Sequence, residues 1–126
     1  MRSFFLVLVL LGGLGCGVKS HSLVSKITAR GILDDVRWLA SDELRGRHYQ
    51  SKEAMIAARY IADKWKEAGL VPLLGKSSMY IPTDDPRAAP NVAAMWRGNG
   101  DGYVLLTAHY DHLKPRMRGE DKIYNG

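Results

Sequence analysis

Three side chains able to do chemistry, His109, Asp111 and His112, close the run Tyr103-Val104-Leu105-Leu106-Thr107-Ala108-His109-Tyr110-Asp111-His112. The run opens as a short apolar stretch of strand length and ends in an imidazole, a carboxylate and a second imidazole. That is the layout of a buried strand delivering polar groups to the rim of a sheet. Side chains alternate along a strand, so His109 and Asp111 are expected on one side and Tyr110 and His112 on the other. A neutral imidazole is the commonest metal ligand, and its second ring nitrogen usually donates to a carboxylate or a carbonyl. A His-x-Asp pair at a strand end can supply such a ligand together with its orienting acid. A lone His-x-Asp is more often structural or solvated than functional; its place after an apolar strand favours the functional reading.

The elements that must position these residues follow from periodicity. Residues 25–40 predict a helix, with Ser25 as N-cap and Ile27, Ile32, Val36 and Leu39 near helical spacing, widened by Leu33 and Trp38. Ser41-Asp42-Glu43-Leu44-Arg45-Gly46-Arg47 reads as a turn with a short helical start. Its charges are most simply a solvated connection, or Arg45 and Arg47 brace a neighbouring loop. Residues 51–68 predict the clearest helix. Ser51 caps it, Glu53 lies in its first turn, and Lys64 and Lys66 lie near its C-terminal end. Ala54, Ala58, Ile61 and Trp65, with Ala57 and Ala62, form a face small enough to lie close against a sheet, which reads as core. Gly69 and then Pro72 end it. Residues 73–90 are a loop with a short edge strand at Met79-Tyr80-Ile81. Residues 91–97 predict a strand, and Gly98-Asn99-Gly100-Asp101-Gly102 a turn that makes a β-hairpin with the run beginning at Tyr103.

The chain has 126 residues and a formal charge of +5, with a sequence pI near 9.5. That is at most one domain with one modest core. The charge is scattered, with no Lys/Arg run interleaved with aromatics, so it reads as solubility and not as nucleic-acid binding. Residues 1–17 stand apart. Arg2 precedes an unbroken apolar run at 4–11, followed by Gly12-Gly13-Leu14-Gly15. The run is too short to span a bilayer, and Gly13 and Gly15 suit signal-peptidase cleavage. The stretch reads as an export signal, and loss of Arg2 with it lowers the formal charge from +5 to +4. Cys16 is the sole cysteine, which rules out an intramolecular disulfide. Its place after Gly15 resembles a bacterial lipobox, although such boxes carry Leu where Gly13 stands. Lipidation at Cys16 and plain secretion both stay open. Either way the product is expected to be exported, whether periplasmic, secreted or lipid-anchored, and to meet the membrane only through an anchor at Cys16.

After His112 the sequence runs through a charged loop to Ile123-Tyr124-Asn125-Gly126. It contains no His-Glu-x-x-His, no paired-Cys motif, no phosphate-binding Gly loop and no Gly-x-Ser-x-Gly. A buried strand ending in one ligand needs partner ligands, because zinc takes three or four protein groups. The expectation is a chain that folds poorly by itself and binds zinc weakly.

Several stretches, in order, resemble one family. Trp38-Leu39-Ala40-Ser41-Asp42-Glu43-Leu44-Arg45-Gly46-Arg47 resembles the "LASDELRGR" segment of the M28 family of zinc peptidases, which are aminopeptidases and related exopeptidases. Glu67-Ala68-Gly69-Leu70-Val71-Pro72 is similar to the family's helix exit, and Pro90-Asn91-Val92-Ala93-Ala94 to its "NVVA" strand. Leu105-Leu106-Thr107-Ala108-His109-Tyr110-Asp111-His112 resembles its first metal motif, and Asp121-Lys122-Ile123-Tyr124-Asn125-Gly126 its "GDKIYNG", with Glu120 in place of the first Gly. The loop 75–90 is shorter than the family's usual one.

The resemblance implies an α/β fold, a three-layer αβα sandwich around a mixed sheet, of which residues 18–126 would be the N-terminal portion. It implies that His109 is a ligand of one of two zinc ions and that Asp111 orients His109 without being a ligand. In the family a bridging Asp, a Glu-Glu pair, a further Asp and a final His follow beyond the "NG", and these are not in the 126 residues. The activity implied for a complete relative is hydrolysis of N-terminal residues from a peptide substrate. There two zinc ions activate a water and polarise the carbonyl while a Glu takes the proton. Two other readings stand beside it: a glutaminyl-cyclase-like acyltransferase on the same scaffold with one zinc, and a non-catalytic ectodomain or binding module. Retention of both His109 and Asp111 argues against the last.

Overall fold

A computed structural model describes residues 27–126. The export signal, Cys16 and the expected cap at Ser25 lie outside the described residues. Helix α1 spans Ala29–Leu39, and its N-cap is Thr28, whose hydroxyl accepts from the Gly31 N–H. Helix α2 spans Lys52–Glu67 and is capped as its sequence predicts, by the Ser51 hydroxyl accepting from the Ala54 N–H. It stops at Gly69, whose φ of +84° suits a residue without Cβ. Between the helices Asp42–Leu44 forms one 3₁₀ turn.

Four two-residue strands follow: β1 Val71–Pro72, β2 Tyr80–Ile81, β3 Asn91–Val92 and β4 Ala94–Met95. They make two small antiparallel sheets. Val71 and Pro72 pair with Met95 and Ala94, and Tyr80 and Ile81 pair with Val92 and Asn91. The Ala93 N–H donates to Met79 O at 2.8 Å, which continues the second register by one residue. These elements do not lay out a three-layer sandwich or a mixed sheet among the described residues.

The main difference from the sequence expectation concerns the run at 103–107. It takes no strand pairing, and Tyr103, Val104, Leu105 and Leu106 are 84–91% exposed. The expected hairpin does not close here, and residues 91–95 pair with the earlier segments 79–81 and 71–72. An apolar strand with neither a paired edge nor a covering layer has nothing to bury itself against. The stripe on α1 behaves the same way. Ile32, Leu33 and Val36 are exposed, and no residue of the helix is buried.

The core lies instead between α2 and the 3₁₀ turn. Leu44 is 1% exposed, and the turn that carries it packs on α2, whose Ala54, Ala57, Ala58 and Ala62 are buried. Small side chains on α2 let the 3₁₀ turn approach its backbone closely. A second link ties the helices together at their polar edge. The Tyr60 hydroxyl donates to Asp35 Oδ1 at 2.5 Å, Lys64 Nζ lies 3.4 Å from the same oxygen, and the Trp38 and Tyr60 rings meet at 5.9 Å.

Candidate metal centre

Arg45, Gly46 and Arg47 leave the 3₁₀ turn with φ values of 44°, 76° and 50°. Left-handed backbone costs roughly 1–2 kcal/mol for a residue with a Cβ, so two arginines in this region require compensation from their surroundings. At Arg47 the compensation is visible. Its guanidinium is buried and its Nε donates to Tyr110 O at 2.9 Å. Its Nη1 donates to Leu39 O and to Asn125 O at 3.2 Å. The main-chain oxygen of Arg47 accepts from the His112 N–H at 3.1 Å, within an isolated parallel bridge between His48 and His112. Gly46 lies close under two other carbonyls, those of Leu113 and Tyr124. The Asn125 side chain donates to Asp42 Oδ1 at 2.9 Å. Segments 39–47, 110–113 and 124–126, far apart in sequence, are thus joined at one arginine.

His109 stands at the edge of this junction. Its Nδ1 is 2.8 Å from the main-chain oxygen of Asp111 and 3.8 Å from Asp111 Oδ1. A carbonyl only accepts, so this geometry requires the proton on Nδ1 and leaves the Nε2 lone pair free. The side chain of His109 is 79% exposed. The hydrogen bond to Nδ1 is thus made with the Asp111 carbonyl and not with its carboxylate, which the sequence expectation named. A bond of this kind is the usual companion of a metal-ligating imidazole. His112 takes another course. Its ring meets Tyr124 edge-on at 6.1 Å, and Tyr124 in turn carries the Arg116 guanidinium over its face at 4.4 Å.

The electrostatics follow from burial and from Asp111. Burial lowers the Arg47 pKa, and the Asp111 carboxylate opposes that shift. Burial raises the Tyr110 phenol, and Asp111 raises it further; that hydroxyl donates to Pro90 O. Burial also lowers His48, Lys114 adds to the effect, and Asp111 opposes it. Asp111 is therefore the anion that acts on Arg47, His48 and the Tyr110 phenol, as well as the neighbour of His109.

A catalytic zinc ion takes three protein ligands and a water. Among the described residues no three His, Cys, Asp or Glu side chains are grouped to hold an ion. The described donor set therefore does not fit a zinc ion by itself: it offers one exposed imidazole, His109. A cleft of about 310 Å³ lies nearby, lined by Arg45, His48, Glu53 and Lys114 among others, and neither His109 nor Asp111 lines it.

Residue type and spacing single out His109 and Asp111, and the structure places them in contact, with His109 Nδ1 on the Asp111 carbonyl. The joining role of Arg47 was foreseen only as a bracing option, and those of Asp42 and Asn125 not at all. The one signal for them was a glycine between two arginines, which marks a backbone that turns left-handed. Compared with known proteins, the chain matches no family model, no curated protein and no solved structure. Among the described residues no helix is long and apolar enough to cross a membrane.

Proposed function

We propose that this chain supplies the first-ligand region of an exported zinc-dependent exopeptidase that removes N-terminal residues from peptides. The observation that supports this reading is the meeting at Arg47 of three of the segments that resemble the M28 zinc peptidases. The "LASDELRGR"-like turn, the His109-containing segment and the "IYNG"-like segment are held to one another by the guanidinium and by the Asp42–Asn125 hydrogen bond. Segments that resemble one family by chance have no reason to be joined by a single buried side chain. In this role His109 presents Nε2 as a ligand, while Asp111 holds its ring through Nδ1. The other ligands of a complete centre come from groups other than the described residues.

The test is a zinc titration of the 126-residue protein followed by the ring resonances of its four histidines, with an amino-acid 4-nitroanilide as the activity probe. Zinc is expected to perturb His109 first and weakly, with no hydrolysis, and His109→Ala to abolish the perturbation. Perturbation of His48 or His112 with His109 unmoved would overturn the reading.

A further inference from the structure

We infer that Arg47 is a positioning residue that sets the direction and the tautomer of the His109 ring; the inference rests on the proposed role of His109 as a ligand. Two peptide planes connect the arginine to the imidazole. Arg47 holds residue 111 from both sides: its Nε takes the carbonyl of Tyr110 at 2.9 Å, and its own main-chain oxygen takes the N–H of His112 at 3.1 Å. In a trans peptide the C=O and N–H point in opposite directions. Fixing the His112 N–H toward Arg47 therefore aims the Asp111 carbonyl away from it. That carbonyl is the acceptor 2.8 Å from His109 Nδ1. The two peptides that flank residue 111 are thus each held by Arg47, one by its guanidinium and one by its main-chain oxygen, and the Asp111 carbonyl between them is the partner of the His109 ring. The third arm, from Nη1 to Asn125 O at 3.2 Å, couples the position of residues 124–126 to the same ring.

A lysine keeps the charge and loses the planar fork that reaches three carbonyls at once. Arg47→Lys should therefore uncouple the ring without discharging the site. The experiment uses the full chain without metal and reads the His109 ¹⁵N ring shifts, which report the tautomer, and amide exchange at His112. In the native protein His109 should be mainly the Nδ1–H form. In Arg47→Lys it should move toward the Nε2–H form usual for a free imidazole, and His112 exchange should rise by about tenfold, the factor that ~1.4 kcal/mol represents. Guanidinium ion added to Arg47→Ala should restore the native tautomer, a rescue that a general packing role would not give. Arg45→Ala, at an exposed side chain, should leave both readings unchanged. Exchange at Ala57 and Ala58 of α2 is the control for folding.

A native tautomer in Arg47→Lys would overturn the inference. So would a native protein with no Nδ1–H preference, or a loss of α2 protection in step with the tautomer and without guanidinium rescue. None of these readings uses zinc or hydrolysis, so the inference and the peptidase proposal fail separately.

Discussion

A methyl group added at Gly46 would stand 2.5 Å from the Leu113 carbonyl oxygen and 2.9 Å from that of Tyr124. Both neighbours are backbone and cannot swing away, and the φ of +76° adds strain for any residue with a Cβ. Gly46→Ala is therefore expected to cost ~1–3 kcal/mol, read by denaturant titration together with faster amide exchange at His112. A neutral result would mean that the 110–113 and 124–126 segments do not pack over the turn. His109 gives the opposite case. Its side chain is mostly exposed, so His109→Ala should change stability by no more than about 0.5 kcal/mol while removing the zinc response. Gly126 faces Arg47 as closely. A Cβ there would lie 2.5 Å from Nη2, the end of a side chain, and the arginine has three carbonyls to hold it against displacement.

At the scale of elements, the Asp35–Tyr60 contact is the main polar link from α1 to α2, and it titrates. The Tyr60 hydroxyl holds the Asp35 carboxyl below its usual 3.8, with Lys64 helping and partial burial opposing. A carboxyl whose folded-state pKa is depressed stabilises the fold above its unfolded value and loses that contribution as pH falls through the folded one. Tyr60→Phe should thus be less stable than the native chain by a constant amount above about pH 4, and the gap should close below it. Because both Asp35 and Lys64 are about half exposed, the gap will be small. A gap that persists undiminished at pH 2 would show that the tyrosine acts through packing alone. How legible these elements were depended on where their partners lie in the chain. Helix α2 was readable almost to the residue because its signals are local: a Ser51 cap, an alanine face and a Gly69 stop. The strand expected at 103–107 does not form, because an apolar run shows what a segment would bury and is silent on which edge is free to receive it. The 91–95 segment is paired by residues 71–72 and 79–81, a competition that no local pattern encodes. At the junction, His109 was legible from its type and its spacing to Asp111, whereas the carbonyls that Arg47 collects have no side-chain signature at all.

For the whole molecule the question is where the folded state gets its stability. Among the described residues Leu44 is the one large side chain that is fully buried, and the turn that carries it packs on α2, whose alanine face is buried. The apolar stripe of α1, which periodicity alone assigns to the core, lies open, with Val36 53% exposed. These two observations separate the halves of the molecule. Leu44→Ala should cost ~2–5 kcal/mol, because the removed atoms are buried and rigid backbone surrounds the cavity. That is a large share of the roughly 5–15 kcal/mol typical of a domain, so the variant should lose its cooperative transition. Val36→Ala should cost less than about 1 kcal/mol, since a half-exposed side chain has little transfer energy to lose. Paired denaturant titrations decide the matter. If Val36→Ala proves as costly as Leu44→Ala, the face of α1 is covered in the protein, and the core extends across both helices as the hydrophobic spacing of residues 27–39 implies. If only Leu44→Ala is costly, the fold is organised around the 3₁₀ turn. Its stability and the geometry at Arg47 are then one property, since the turn that buries Leu44 is the turn that delivers the arginine.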